Sequence, residues 1–443
     1  MDVGATSSRQ FSPASSLSAT DATTTPMDAF LIHGGRKLGG RVEIAGAKNA
    51  ALPVMAATLL TPAVHTLRNV PSLSDTRTMA RVLETLGARV EMRGNTCKID
   101  TSPVHSVEAP YDLVRTMRAS IYVLAPLLAR FGAARVSLPG GCAWGPRPVN
   151  LHMDTMNAMG AGLAVEHGYI VGRDVKLKGA TFNFEVVSVG ATAQMLMAAV
   201  LADGTSVIDN AAIEPDITAL AEVLVACGAE IHGIGSRQMT IRGVRHLKPI
   251  DTTIIPDRIE AATFLAAAAI TGGSITLERC DAAHMAAAMH KLEQAGCEIL
   301  PGDHEVAISG PTRPGAVNVT TAPFPGFPTD MQAQMMAVLS IADGTSVLTD
   351  TVYLDRFTHV PELARLGADI KLEHNVAVIR GVERLQGAPV MATDIRASAA
   401  LVLAALAAEG ETRISRIYHL DRGYERFDER LKKLGASIER VQD

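Results

Sequence analysis

Leu86-Gly87-Ala88 returns along the chain as Met159-Gly160-Ala161, Cys227-Gly228-Ala229, Ala295-Gly296-Cys297, Leu366-Gly367-Ala368 and Leu434-Gly435-Ala436. The glycines are spaced by 73, 68, 68, 71 and 68 residues. Each closes a helix-like run and opens a short apolar strand, where a helix C′ residue wants a positive φ that glycine adopts cheaply. One recurrence carries no weight, but six at near-constant spacing mark internal duplication. Duplication aligns the chain with itself, so polar residues that interrupt one position of successive copies stand out as a candidate site.

Each copy follows one plan. In the third, Tyr169-Ile170-Val171-Gly172 leads on to a second strand over 180–184, a first helix over 191–201 and a strand over 204–208. A second helix over 216–226 then reaches the Gly228 turn. Glycines 273, 344 and 410 open the corresponding strands of later copies. Alternating helix and strand periods predict an α/β fold. The first helices are Ala-rich and apolar nearly all round, most clearly over 261–269 and 399–408, which predicts burial. Three such helices in the centre of a domain, covered by sheets, would use six units as two sets of three.

The 443 residues allow two or three domains. A hydrophobic fraction of 47% with 20% charged residues suits large cores. The net charge of -5 argues against a general nucleic-acid binder, and 4% aromatics against base-stacking platforms. Five scattered cysteines without a C-x-x-C pair suit a reducing cytoplasm. No apolar run approaches the roughly 20 residues that span a membrane. The stretch to residue 26 is rich in Ser, Thr and Ala and lacks the apolar segment of a secretory signal. Residues 1–27 are therefore read as a disordered N-terminal tail, and Met27 as an alternative start.

Polar residues break the pattern at equivalent places. Just before the first helices stand Lys48, Arg118, Ser188, Arg258, Asp330 and Arg396, at intervals of 70, 70, 70, 72 and 66. Second helices begin at Arg147-Pro148, Arg356-Phe357 and Arg422-Gly423. A charge at the start of a buried helix makes sense where the helix end opens on a cleft, and helix N-termini attract anions. The set points to a substrate carrying phosphates and carboxylates. The alternative is a series of caps and interdomain ion pairs.

The loop over 138–148 holds three glycines, three prolines, the only Trp and Cys142. It reads as a lid, and Arg147 nearby would favour a reactive thiolate or a tuned acid at Cys142. The other cysteines read as packing residues. Asp330, a carboxylate among positions that hold cations, reads either as a proton acceptor or as a helix N-cap. No spacing of His and Cys suggests a metal site.

Six strings carry a resemblance to the UDP-N-acetylglucosamine enolpyruvyl transferases: Gly46-Ala47-Lys48-Asn49-Ala50-Ala51-Leu52-Pro53, Thr116-Met117-Arg118-Ala119-Ser120, Leu138-Pro139-Gly140-Gly141-Cys142, Phe327-Pro328-Thr329-Asp330-Met331-Gln332-Ala333-Gln334, Ala392-Thr393-Asp394-Ile395-Arg396-Ala397-Ser398 and Asp421-Arg422-Gly423-Tyr424-Glu425-Arg426. The resemblance runs from about Met27 to the C-terminus. It implies two inside-out α/β barrels of three repeats each, one of residues 28–47 with 257–443 and one of 48–256, with the site in the cleft between them. It also implies transfer of the enolpyruvyl group of phosphoenolpyruvate to the 3′-hydroxyl of UDP-N-acetylglucosamine, the first committed step of peptidoglycan precursor synthesis. No cofactor, metal, nucleic acid or membrane is implied, and the location is cytoplasmic.

By resemblance, Asp330 is the base for the sugar hydroxyl and Cys142 the acid near C3 of phosphoenolpyruvate. Lys48, Asn49, Arg118, Arg147, Arg396 and Arg422 would hold phosphoenolpyruvate, with Lys48 and Arg422 also serving catalysis and Arg356 lining the cleft. Asn49, Arg118, the run Arg147, Pro148, Val149, Asn150 and Leu151, the triplet Ser188, Val189 and Gly190, and Asp330 and Val352 would hold the nucleotide sugar. Two departures stand out. Val186 replaces a lysine often found two residues before the Ser-Val-Gly triplet, and Asn150 an acidic residue. Since some members carry Asp in place of Cys142, the cysteine implies inactivation by the epoxide antibiotic fosfomycin. Two rivals remain: a 5-enolpyruvylshikimate-3-phosphate synthase, and a non-catalytic paralogue that binds UDP-sugar and regulates another wall enzyme.

Overall fold

The turn glycines do what their spacing demands: φ runs from +87° at Gly160 to +105° at Gly87 across all six. The structure is a computed structural model that describes Met1 and residues 28–139 and 149–442. The fold is α/β, with six four-stranded sheets among the described residues.

The first helices are Lys48–Ala57, Leu124–Phe131, Val189–Ala199, Arg258–Thr271, Gln332–Leu339 and Ile395–Ala407. Their side chains are nearly all buried. Each fully buried Leu or Ile contributes about 2 kcal/mol. Alanine contributes far less, but its small side chain lets helices approach closely. Accordingly Arg258–Thr271, Gln332–Leu339 and Ile395–Ala407 pack on one another. The third first helix starts and ends two residues earlier than the sequence suggests, because the Ser188 hydroxyl accepts from the Ala191 amide and starts it.

Buried apolar residues fall into two clusters. One gathers Phe30–Ile44 with Ile259–Ile438, the other Ala47–Ile254. The strands explain the division. In the second unit the short strand before the first helix, Glu108–Ala109, lies parallel to the strand after it, Ala134–Ser137. In the first and fourth units this partnership is exchanged. Gly39–Glu43, which precedes Lys48, pairs with Ser274–Glu278, while Asp251–Thr253, which precedes Arg258, pairs with Val64–Arg68. The two exchanged connections run side by side: the Ala47 amide donates to the Ile255 carbonyl at 2.7 Å and the Asp257 amide to the Ala45 carbonyl at 2.8 Å. Asp28–His33 lies between Glu411–Ser415 and Ser437–Gln442, antiparallel to both. Among the described residues no helix is long and apolar enough to cross a membrane.

Candidate active site

Where the two clusters meet, helix starts from both converge. Lys48 is the first residue of its helix and is buried, with Nζ 3.3 Å from Asp75 Oδ2. Asp75 lies at the start of helix Ser74–Thr85, and its other oxygen accepts from Arg422 Nε at 3.0 Å. Arg422 ends the short 3-10 helix Ile417–Arg422 of the other cluster. One buried carboxylate thus joins a lysine of its own cluster to an arginine across the boundary. Burial lowers the Lys48 pKa, Asp75 opposes the shift, and Arg396 and Arg422 add to it. Lys48 therefore lies within electrostatic reach of both arginines.

Asp330 forms the second node. Its Oδ1 lies 2.7 Å from Arg356 Nη2 and 3.3 Å from Arg396 Nε. The Asp330 side chain keeps 26% of its surface, against 6% for Arg396. Burial alone would raise the carboxyl pKa; the Arg396 and Arg356 guanidinium groups outweigh it and hold the group well below the usual carboxylate range. The N-cap alternative fails, since Pro328 occupies that position and Asp330 lies inside the turn Thr329–Met331. Asp257 and Asp394 are the capping carboxylates, each accepting two amides at the starts of Arg258–Thr271 and Ile395–Ala407. Arg396 Nη1 also donates to the Tyr424 hydroxyl at 3.3 Å, which in turn bonds Thr263 and Gln334.

A third group lies within the cluster of residues 47–254. Ser188, Val189 and Gly190 start a helix that packs on Asn150–Ala158. A Cβ at Gly190 would stand 2.7 Å from His152 Cε1, so only glycine lets these helices approach. Burial, reinforced by Arg118, pushes the His152 pKa down to about 4, and burial pushes Tyr122 up to about 12. Arg118 opens the 3-10 helix Arg118–Val123, and Val149 is the N-cap of Asn150–Ala158. Arg118, Val149, Asn150, Leu151 and the Ser188 triplet therefore come from segments packed around one helix start.

Other candidates are placed differently. Arg258 lies 3.6 Å from Asp216, and the two side chains keep 11% and 7% of their surface. For this arginine the ion-pair alternative holds. Burial outweighs Arg258 and raises Asp216 to about 6. Asn49 is half-buried next to Lys48, whereas Val352 and Val186 are exposed. Cys142, Arg147 and Pro148 lie outside the described residues, as does the tail over 2–27. Cys97, Cys227, Cys280 and Cys297 are buried. The sequence reading missed Asp75 and Tyr424. The only available signal was that Asp75 opens a second helix; the described basic members of that series do not, since Arg356 precedes Val360–Arg365 and Arg422 ends the 3-10 helix before Phe427–Lys433.

The profile of the family described as EPSP synthase (3-phosphoshikimate 1-carboxyvinyltransferase) matches residues 32–431. The UDP-N-acetylglucosamine 1-carboxyvinyltransferase of Geobacter metallireducens is 54% identical over 417 residues, covering 94% of this chain and 100% of the relative. The protein of the same name from Myxococcus xanthus is 51% identical, covering 94% and 99%. Among solved structures, the enolpyruvyl transferase NikO from Streptomyces tendae superposes with a TM-score of 0.86 at 28% identity, covering 94% of this chain and 100% of that one. The EPSP synthase of Acinetobacter baumannii reaches 0.74 at 16% identity over the same shares, a likeness of fold alone.

Proposed function

The chain belongs to the enolpyruvyl transferases of the EPSP synthase family, and from that premise we propose that it moves the enolpyruvyl group of phosphoenolpyruvate to the 3′-hydroxyl of UDP-N-acetylglucosamine, releasing phosphate. The observation that carries this reading is Asp330: a carboxylate paired with Arg356 at 2.7 Å and Arg396 at 3.3 Å, within electrostatic reach of Lys48. The near full-length likeness to the UDP-N-acetylglucosamine enzymes supports this acceptor over shikimate 3-phosphate.

In this mechanism Asp330 takes the proton of the 3′-hydroxyl as its oxygen attacks C2 of phosphoenolpyruvate. Cys142 gives a proton to C3, and a tetrahedral adduct results. The C2–O bond to phosphate then breaks, C3 returns a proton, and the enol ether is left on the sugar. Lys48, Arg118, Arg147, Arg396 and Arg422 bind the carboxylate and phosphate, which are anions at every stage. Asp75 keeps Lys48 and Arg422 paired and spaced for this work. Asn49, Val352 and residues 147–151 and 188–190 take the nucleotide sugar, whose diphosphate suits the amides at the Ser188 helix start.

Residues 28–47 with 257–443, and residues 48–256, act in this reading as two inside-out barrels that close on substrate. The two apolar clusters support that division. The product serves peptidoglycan precursor synthesis in the cytoplasm.

Phosphate release from phosphoenolpyruvate, with UDP-N-acetylglucosamine, with shikimate 3-phosphate and with neither, tests the assignment. Release with the nucleotide sugar alone is expected. Release with shikimate 3-phosphate alone would overturn it, and release with neither would favour a regulatory binder. Fosfomycin should inactivate the protein through Cys142, and Cys142→Asp should abolish labelling by the epoxide; labelling that persists in the variant would refute that role.

A further inference from the structure

Asp350 follows the strand Thr345–Thr349 and is fully buried. Its Oδ1 accepts from the Thr321 hydroxyl at 2.7 Å and from the amides of Val352 and Tyr353 at 3.0 and 2.8 Å. Its Oδ2 accepts from the Thr329 hydroxyl at 2.7 Å. The Thr329 hydroxyl donates to Asp350, so its lone pairs face away from that carboxylate. Arg356 Nη1 donates to those lone pairs at 3.2 Å, while its Nη2 meets Asp330 at 2.7 Å. Four residues form one relay with a fixed direction of donation: Asp350, Thr329, Arg356 and Asp330.

The same corner in other units does less. Asn69 and Asn210 also follow such a strand, and each turns the chain with positive φ and donates its amide to a backbone carbonyl, Ile254 and Phe184. Arg279 and Arg416 hold the corner with positive φ as well. Only in the fifth unit does an acceptor with four donors replace them, and that is the unit that carries Asp330.

We propose that Asp350 is a positioning residue for the transfer: through Thr329 it aims Arg356 at Asp330, and through the Val352 and Tyr353 amides it fixes the loop beside the nucleotide sugar. The inference rests on the reading of Asp330 as base. Asp350→Asn keeps an oxygen for the loop amides but turns an NH2 group toward Thr329. It should lower kcat about 10- to 100-fold with little change in KM for UDP-N-acetylglucosamine. The acid limb of the kcat profile should move to higher pH, because a misaimed Arg356 no longer depresses Asp330. Thr329→Val should do the same and Thr329→Ser should restore the wild-type value; this pair decides the matter if Asp350→Asn does not fold. The double variant Asp350→Asn/Thr329→Val should be no worse than the more impaired single one. Losses in thermal stability with wild-type kcat and pH profile, or additive losses in the double variant, would overturn the proposal. A wild-type chain without turnover would instead overturn the reading on which it rests.

Discussion

Asp330 sits beside two guanidinium groups and Asp216 beside one, and the difference sets opposite responses to acid. The folded pKa of Asp330 is depressed, so its contribution to stability is present above the unfolded value of about 4 and is lost only as pH falls through the folded one. Asp216 is raised to about 6 by burial; its contribution is present below about pH 4 and is lost as pH rises through about 6. Melting temperature measured across this window should fall in the wild type and fall less in Asp216→Asn. Equal slopes would show that Asp216 titrates normally. The repeat made Asp330, Lys48, Arg396 and Arg422 legible, because they recur in register. Asp75 was not legible: Ser74-Asp75-Thr76 reads as an ordinary helix start, and its partners Lys48 and Arg422 lie 27 and 347 residues away in sequence. Arg258 belongs to the same register as Lys48, yet what separates a substrate ligand from an ion pair is the facing element, which the register does not encode.

The helix-closing glycines share a conformation but not surroundings. Near Gly228 nothing would lie within 4 Å of an added Cβ, whereas at Gly87 that atom would stand 2.5 Å from His105 Nδ1 and 3.0 Å from the Pro103 carbonyl. Gly228→Ala should therefore cost only the backbone strain, about 1–3 kcal/mol. Gly87→Ala should cost more, because the His105 loop must also move. Denaturant midpoints of the two variants test the ranking, and equal losses would mean that strain alone acts. The turns were readable because one residue type answers one dihedral demand. The first-helix start at Val189 was readable to within two residues, since the Ser188 cap sets it locally; the second helices begin at Val360 and Phe427, beyond the Arg356 and Arg422 starts the sequence suggests. The exchange of Gly39–Glu43 and Asp251–Thr253 between units left no mark in the strands themselves and was expected only through the family resemblance, because parallel pairing reads backbone groups that every residue supplies. The arginines at positive φ, Arg279 and Arg416, were equally silent, as arginine is not a residue that favours that region.

Across the whole molecule, Asp75 links the two apolar clusters through Arg422, and Asp216 does so through Arg258. Asp75→Ala leaves Lys48 and Arg422 without their shared counter-charge. The substrate-free variant should show a larger radius of gyration by small-angle scattering than the wild type, and phosphoenolpyruvate with UDP-N-acetylglucosamine should shrink the difference. Identical free-state profiles would show that the bridge does not hold the halves together. The inner strand Asp28–His33 has a different consequence, one of time rather than force. Phe30 waits for Ile414, its partner 384 residues later in the chain. At ribosomal speeds of about 5–20 residues per second, that wait lasts about 20–80 s. During synthesis the cluster of residues 47–254 has all its strands before the other half is made, while this first apolar strand stays unpaired until the last two arrive. A nascent chain arrested short of residue 411 would display it, which makes it the segment a holding chaperone would meet first.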